Sequence, residues 1–290
     1  MIPGNPLHRS PVASVHLAVL LFGFSGLFGK LLVLSPVFIV LGRTAFAAGS
    51  LFLFARIFSG TRLLPSSRRE GIYLVLQGLL LAVHWLFFFH SIQVSTVAVG
   101  LISFSTFPMF TTFMEPFFFK ERLRIKDIFA SLLVLGGTYL VIPSLNLAND
   151  ITRGAAAGIL AGFTFALLTL LNRRNVIRTN AICAAFYQNT FACLFLLLPA
   201  FLIRSAGPSP RDILLLSILG IFCTGLAHTL FIRSLGYIRA QTASIVTGLE
   251  PVWGILFAFF ILGEVPGIQT LAGGVVIISA SVMAQASPQA

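Results

Sequence analysis

The chain has 290 residues, of which 57% are hydrophobic and only 9% are charged, and its formal net charge is +11. Soluble domains carry about a quarter charged residues because their surfaces face water, so this composition excludes an ordinary soluble protein. A basic net charge can indicate nucleic-acid binding, but no segment here is long and polar enough to form a basic patch on a solvated domain. The three cysteines lie in apolar stretches, which favours neither a disulfide framework nor a metal site.

Ten apolar segments follow one another, each close to the roughly 20 residues that a helix needs to cross a bilayer. In chain order they cover residues 12–34, 36–58, 71–91, 95–118 and 127–144, then 154–172, 181–203, 212–233, 240–262 and 267–285. The first segment is too long for the core of a signal peptide and further apolar segments follow it, so we interpret it as a membrane helix. The sequence predicts an all-α integral membrane protein with ten transmembrane helices.

The basic residues orient this bundle, because loops on the cytoplasmic side of a membrane carry the excess of lysine and arginine. With the N-terminus in the cytoplasm, the outer side receives only Arg153, Arg204 and Arg211, and most other basic residues fall on the inner side. Since an even number of crossings returns the chain to the side where it began, both termini are predicted to be cytoplasmic.

An internal repeat divides the chain. Three residues recur at a constant interval of 143, with matching hydrophobic character between them: Ser91, Pro108 and Glu121 return as Ser234, Pro251 and Glu264. The two glutamates come at helix ends, where we expect them to fix the turn. We therefore predict two five-helix repeats, residues 1–147 and 148–290. A unit with an odd number of crossings is inverted in its second copy, and inverted repeats place a substrate pathway near the midplane between them.

The motifs within the repeat resemble those of EamA-type members of the drug/metabolite transporter superfamily. The resemblance lies in two stretches, Pro108…Glu121-Arg122-Leu123 with Leu135-Gly136-Gly137, and Leu249-Glu250-Pro251-Val252-Trp253…Leu262-Gly263-Glu264 with Gly273-Gly274. Lys30 and Arg43 also fall where that family often has basic residues. The resemblance implies a ten-helix secondary carrier of the bacterial inner membrane, usually an exporter of small metabolites or amino acids. The small multidrug-resistance branch couples protons through a glutamate in its first helix; residues 12–34 contain no acid here, so that scheme does not carry over.

Glu250 is the first candidate for the substrate or ion pathway. An ionisable side chain at such a depth costs roughly 2.5–3.5 kcal/mol and usually faces a cavity or a partner. The neighbouring Pro251 removes a backbone hydrogen bond and frees a carbonyl, which can open a polar notch. The Glu250 carboxylate is predicted to bind a cationic substrate group or to carry a coupling proton; the alternative is a structural pair with a neighbouring donor.

Glu115 is the second acidic candidate. It shares one face of the fourth helix with Pro108, Thr111 and Thr112, and this face is predicted to line the pathway. Because Glu115 lies near the cytoplasmic end of its helix, the alternative is a side chain that reaches the membrane interface.

Two histidines extend the set of candidates. Gln77, His84 and Ser91 are spaced seven residues apart and form a polar stripe along the third helix, and His228 follows Thr224 by four residues in the eighth. Histidine suits proton coupling or substrate hydrogen bonding, since it titrates close to neutral pH. The alternative for both histidines is packing against a neighbouring helix.

Lys30 and Arg43 are candidates for binding a carboxylate or a phosphate. Either side chain could instead extend to the membrane surface, and Arg43 could pair with an acid. Gln188 and Asn189 in the seventh helix are expected to make hydrogen bonds between helices; the alternative is that they line the lumen.

These residues favour a secondary transporter that exports a small polar metabolite, such as an amino acid, by alternating access. The alternatives are proton-coupled efflux of cationic drugs and a lipid flippase or passive channel. A membrane enzyme is disfavoured, because the sequence has no H-E-x-x-H cluster, no G-x-S-x-G elbow and no phosphate-binding glycine loop. We expect no cofactor and no metal, and we expect the lipid bilayer, a small-molecule substrate and protons as partners.

Overall fold

A computed structural model describes residues 11–65, 67–120, 123, 125–141, 148–176, 179–203 and 207–285. The described chain is helical throughout, with short connections. Its helices are α1 Pro11–Leu31, α2 Pro36–Ser59, α3 Arg68–Val94, α4 Val97–Phe119, α5 Ile125–Val141, α6 Asp150–Asn175, α7 Ala181–Leu202, α8 Pro210–Ser234, α9 Ala240–Leu262 and α10 Ile268–Gln285. Within these described ranges, eight helices, all but α5 and α10, are long and apolar enough to cross a membrane. The α5 and α10 helices pack against each other.

Polar caps carry several helices past the ends of their apolar runs. Ser67 accepts a hydrogen bond from the backbone N–H of Glu70, so α3 begins at Arg68 rather than near residue 71. Asn149 caps α6 in the same way, and this helix begins at Asp150 rather than at 154. A cap satisfies backbone N–H groups that the first turn leaves without intrahelical partners. The apolar pattern of the sequence does not show these caps. The predicted starts of α3 and α6 therefore lie a few residues after the observed ones.

The two proline-bearing helices share one irregularity, and it follows the repeat. Helix α4 is interrupted at residues 105–106 and α9 at residues 248–249, so the breaks lie one repeat interval of 143 apart. Pro108 and Pro251 follow their breaks by two residues. Because a proline has no N–H to donate to the preceding turn, each break leaves backbone polarity in the middle of a membrane helix.

The two halves contact each other through close helix packing. Gly154, Gly158 and Gly162 form a ridge on α6 that meets the end of α3 and the first part of α4. A β-carbon at Gly158 would lie 2.7 Å from that of Ser103, and one at Gly162 would lie 2.8 Å from the carbonyl oxygen of Phe104. Small residues at this spacing let backbones approach, which drives helix association in membranes.

Phenylalanine rings fill the interior of the bundle, and apolar side chains cover its exterior. Phe22, Phe104, Phe165 and Phe231, from α1, α4, α6 and α8, form mostly edge-to-face contacts with centroids 5.5–6.5 Å apart. Large apolar side chains such as that of Phe117 are exposed on the outside of the bundle. An outward apolar surface is what a bilayer requires.

Candidate functional site

Arg43 lies at the centre of the bundle and is fully buried, with 0% of its surface exposed. Its Nε donates a hydrogen bond to Thr224 Oγ1 at 2.9 Å, and its Nη1 lies 3.5 Å from Ser25 Oγ. The guanidinium carbon sits 3.4 Å from the centroid of the Trp85 ring, a cation–π stack. Among the described residues Arg43 Nη2 has no hydrogen-bond partner. Complete burial excludes the alternative that Arg43 extends to the membrane surface.

A π-helical turn in α8 presents Thr224 to Arg43. This turn spans Ile221–Leu226, and within it Thr224 Oγ1 donates to the Leu219 carbonyl at 2.8 Å. Gly220, just before the turn, touches α2 so closely that a β-carbon would lie 2.6 Å from the Arg43 carbonyl oxygen. Single π turns re-aim side chains and occur often at functional sites. The apolar pattern of residues 212–233 gives no indication of this turn.

Glu250 lies in α9 directly after the break at residues 248–249 and is 2% exposed. Within the described part of the chain its carboxylate makes no hydrogen bond and no direct ion pair. It lies within electrostatic range of Arg43. Arg43 belongs to the first half of the chain and Glu250 to the second, and no direct ion pair between described residues joins them.

An amide network extends from this centre between four helices. His228 Nε2 of α8 lies 2.9 Å from Gln188 Oε1 of α7, and Gln188 Nε2 donates to Asn172 Oδ1 of α6 at 2.6 Å. Gln77 of α3 donates to the same Asn172 oxygen at 3.1 Å. The interhelical bond expected for Gln188 is confirmed. The one expected for Asn189 is wrong, since its amide donates to the Ala185 carbonyl of its own helix at 2.8 Å.

The stripe on α3 forms a seam with α6. Besides Gln77, His84 Nδ1 lies 3.0 Å from the Ala161 carbonyl oxygen, and Ser91 donates to the Gly154 carbonyl at 2.6 Å. The His84 ring is enclosed by aromatic rings, with centroids 4.5–6.0 Å away: Trp85, Phe88, Phe104 and Phe165. These contacts place the stripe in a helix–helix interface and join the two halves along its length.

Glu115 forms a separate ionic cluster at the other end of α4 and is 1% exposed. Its carboxylate oxygens lie 2.6 Å from Arg173 Nη1 and 3.3 Å from Arg239 Nη2, and one of them accepts a hydrogen bond from the Gln241 backbone N–H at 3.4 Å. Pro108, Thr111 and Thr112 on the same face are buried as well. The alternative that Glu115 reaches the interface is excluded, because its carboxylate is enclosed by residues of the second half.

Lys30 lies outside both clusters. It is exposed, and its Nζ donates to the carbonyl oxygens of Ser95 at 2.7 Å and Gln93 at 3.3 Å. The lysine thus binds the C-terminal end of α3, where a positive charge is favourable. Of the candidate residues, the structure brings together Arg43, Glu250, His228 and Gln77 in or beside one buried centre, and it places Lys30 at a helix end.

Three partners of this centre were missed from the sequence. Ser25, Asn172 and Trp85 are neutral side chains within apolar runs, so no charge or motif singles them out. Glu121, predicted to fix a turn, lies outside the described residues. In the part of the chain that is described, no three His, Cys, Asp or Glu side chains are grouped so as to hold a metal ion.

Comparison with known proteins agrees with this architecture. The model of the EamA-like transporter family matches twice, over residues 10–142 and 152–284, which confirms the internal repeat. An uncharacterized transporter of Bacillus subtilis (strain 168), YxxF, is 25% identical over 218 residues, which cover 74% of this chain and 69% of that protein. A solved crystal structure with 17% sequence identity aligns with a TM-score of 0.72 over 95% of this chain and 96% of its own, which shows a shared fold. The chain is therefore a multi-pass membrane protein that belongs to the EamA-like transporter family.

Proposed function

We propose that this protein is a secondary transporter that exports a small polar metabolite, such as an amino acid, by alternating access between two inverted five-helix halves. In this proposal all ten helices cross the bacterial inner membrane and both termini are cytoplasmic. Membership of a transporter family supports the class of activity. The residues of the buried centre support the assignment of the binding site.

The observation that carries the proposal is the separation of Arg43 and Glu250. A buried charge without a bonded partner is costly, and a pair that served stability alone would gain most from direct contact. Here the two groups are opposite in sign, come from opposite halves and do not touch. Among the described residues Arg43 Nη2 has no hydrogen-bond partner, and none of them donates a hydrogen bond to the Glu250 carboxylate. A substrate with a carboxylate and an ammonium group would satisfy both.

The surroundings suit a site that opens alternately to each side. The centre lies between helices of both halves, next to the backbone break of α9. The α4 and α9 breaks, at repeat-equivalent positions, supply backbone polarity for a path through the membrane. At one end, Glu115 joins α4 to the ends of α6 and α9 through Arg173 and Arg239. The proposed topology places this closure at the cytoplasmic end.

A second candidate function is proton-coupled efflux of cationic compounds. It is favoured by one observation, the buried Glu250 carboxylate without a hydrogen-bond donor among the described residues. A cation and a proton could occupy this carboxylate in turn, as in exchange transport. Under this alternative Arg43 would repel the substrate, so flux would increase rather than fall when its positive charge is removed.

The test is flux into proteoliposomes that contain the purified protein. A pool of labelled amino acids and related metabolites is offered with and without an imposed proton gradient, and empty liposomes give the background. We expect saturable uptake of at least one zwitterionic compound. Flux of cationic dyes alone, with no flux of any zwitterion, would contradict the first proposal and support the second. Flux that does not saturate and ignores the gradient would indicate a passive channel.

A further inference from the structure

The two proline-bearing helices each receive a carboxylate from the other. Glu264, just beyond the end of α9, accepts hydrogen bonds from the backbone N–H groups of Val97 at 3.3 Å and Ala98 at 3.2 Å, the first residues of α4. At the opposite end, Glu115 of α4 accepts a hydrogen bond from the backbone N–H of Gln241, in the first turn of α9. Each helix therefore supplies a cap to the N-terminus of its counterpart in the other half.

The internal repeat relates the receiving ends of these two contacts but not their carboxylates. Ala98 and Gln241 are separated by 143 residues, the interval of the repeat, so the two receiving amides are equivalent positions. The two carboxylates are not equivalent, because the position that corresponds to Glu115 in the second half is Ala258. The same device, a carboxylate of one half on the α-helical N-terminus of the other, is thus built from different residues at the two ends.

Both contacts are favourable for the same physical reasons. The first N–H groups of a helix have no partner within the helix, and the helix dipole places partial positive charge there. At the N-terminus of α4, Glu264 accepts hydrogen bonds from the N–H groups of residues 97 and 98. The Thr96 hydroxyl accepts one from the N–H of Val99 at 3.1 Å. At the α9 end, Arg173 and Arg239 add positive charge around Glu115. The contact at the N-terminus of α9 is therefore ionic, and the contact at the N-terminus of α4 depends on backbone N–H groups.

We propose that these reciprocal caps are the two gates of the transporter, Glu264 closing the outer end and Glu115 the cytoplasmic end of the path between the halves. Both caps are formed in this structure. Opening either end requires one carboxylate to leave the helix N-terminus of the opposite half. The inference rests on the proposed alternating access, but not on the identity of the substrate.

Two reporter positions allow each gate to be read separately. Leu101 of α4 and Ser244 of α9 are buried, lie one turn inside the two capped ends and are repeat-equivalent. Each is replaced by cysteine in the full-length protein. The labelling rate with a membrane-impermeant maleimide is then measured from each side, in intact cells and in inside-out vesicles. The parent chain without an engineered cysteine measures the background from its three native cysteines.

We expect Glu264→Ala to raise the labelling rate of L101C from outside roughly tenfold, the size of effect that loss of a helix cap produces, and to leave S244C unchanged. Glu115→Ala is expected to raise the labelling rate of S244C from inside and to leave L101C unchanged. The conservative variant Glu264→Gln keeps an acceptor oxygen but not the charge, and should give an intermediate rate.

Asp212→Ala is the matched control, since Asp212 also caps a helix but does so within α8, through the backbone N–H and hydroxyl of Ser209. It should change neither reporter. Equal increases at both reporters, or none at either, would overturn the gate assignment, provided that size-exclusion profiles show folded protein. Side-selective labelling without flux of any tested compound would support the gates and count against the proposed substrate class, so the two failures are distinguishable.

Discussion

Replacement of Thr224 by valine tests whether the π-helical turn of α8 fixes the central arginine. Valine has nearly the shape of threonine, so the change opens no cavity. It removes the acceptor for Arg43 Nε at 2.9 Å and the donor to the Leu219 carbonyl at 2.8 Å. A buried hydrogen bond to a charged group contributes about 1.5–3 kcal/mol, so Thr224→Val should destabilise the protein by about 2 kcal/mol.

Thr224→Ser distinguishes the contribution of the hydroxyl group from that of the methyl group. Serine keeps both hydrogen bonds and loses one buried methyl group, which costs about 0.8 kcal/mol. With a shift of about 2–4 °C per kcal/mol for a chain of comparable size, Thr224→Val should lower the apparent Tm by about 4–8 °C and Thr224→Ser by about half as much or less. In transport assays, the valine variant should also bind substrate more weakly, because the guanidinium is no longer held in place.

The native cysteines provide the assay. Cys183 and Cys223 are buried and become reactive toward a fluorogenic thiol dye when the protein unfolds in detergent. All variants are heated at one scan rate, since membrane proteins commonly unfold irreversibly. A valine variant that melts at or above the temperature of the serine variant would refute the assignment of Thr224 as the group that holds Arg43.

Two further pairs of substitutions test the helix packing and the cation–π stack. Gly158→Ala places a β-carbon 2.7 Å from that of Ser103 and should destabilise the interface between the halves by about 1–3 kcal/mol; Gly49→Ala, where the new carbon meets nothing within 4 Å, should be neutral or stabilising by up to about 1 kcal/mol. The same thermal assay ranks them, and equal melting temperatures would contradict the close approach. Trp85→Leu removes the aromatic ring that stacks on Arg43. Such a cation–π contact contributes about 2 kcal/mol when it is shielded from water. Trp85→Phe keeps an aromatic face at this position. Flux should be lost in the leucine variant and largely kept in the phenylalanine variant; the reverse order would exclude the stack from the site.

The larger features of this fold could be predicted from the sequence because they depend on local composition. Apolar runs located the helices, and the interval of 143 predicted the internal repeat. The α6 ridge could also have been found, since Gly154, Gly158 and Gly162 recur every four residues. Helix starts were displaced wherever a polar cap, such as Asn149, extends a helix beyond its apolar run.

The partners of the polar residues could not be predicted, because they depend on contacts between distant segments. Glu115 pairs with Arg173 and Arg239, which lie 58 and 124 residues further along the chain. In the sequence, the positive charge of these arginines indicates only the topology of the helices. His84 belonged to a polar stripe and Glu250 stood beside a proline, but neither pattern identifies the partner of the side chain. Only the structure shows that His84 contacts a carbonyl of α6, whereas no described residue bonds to the Glu250 carboxylate.

The most direct test of the central claim is counterflow in proteoliposomes by Glu250→Gln, with Asp212→Asn as the matched control. Glutamine preserves the size of the side chain but removes its acidic group, and Asp212 lies half-buried at the start of α8. If Glu250 binds substrate or its coupling proton, Glu250→Gln loses saturable exchange while its size-exclusion profile and melting temperature stay near those of the wild type, and Asp212→Asn exchanges normally. Wild-type exchange by a folded Glu250→Gln variant would remove Glu250 from the transport site and contradict the account.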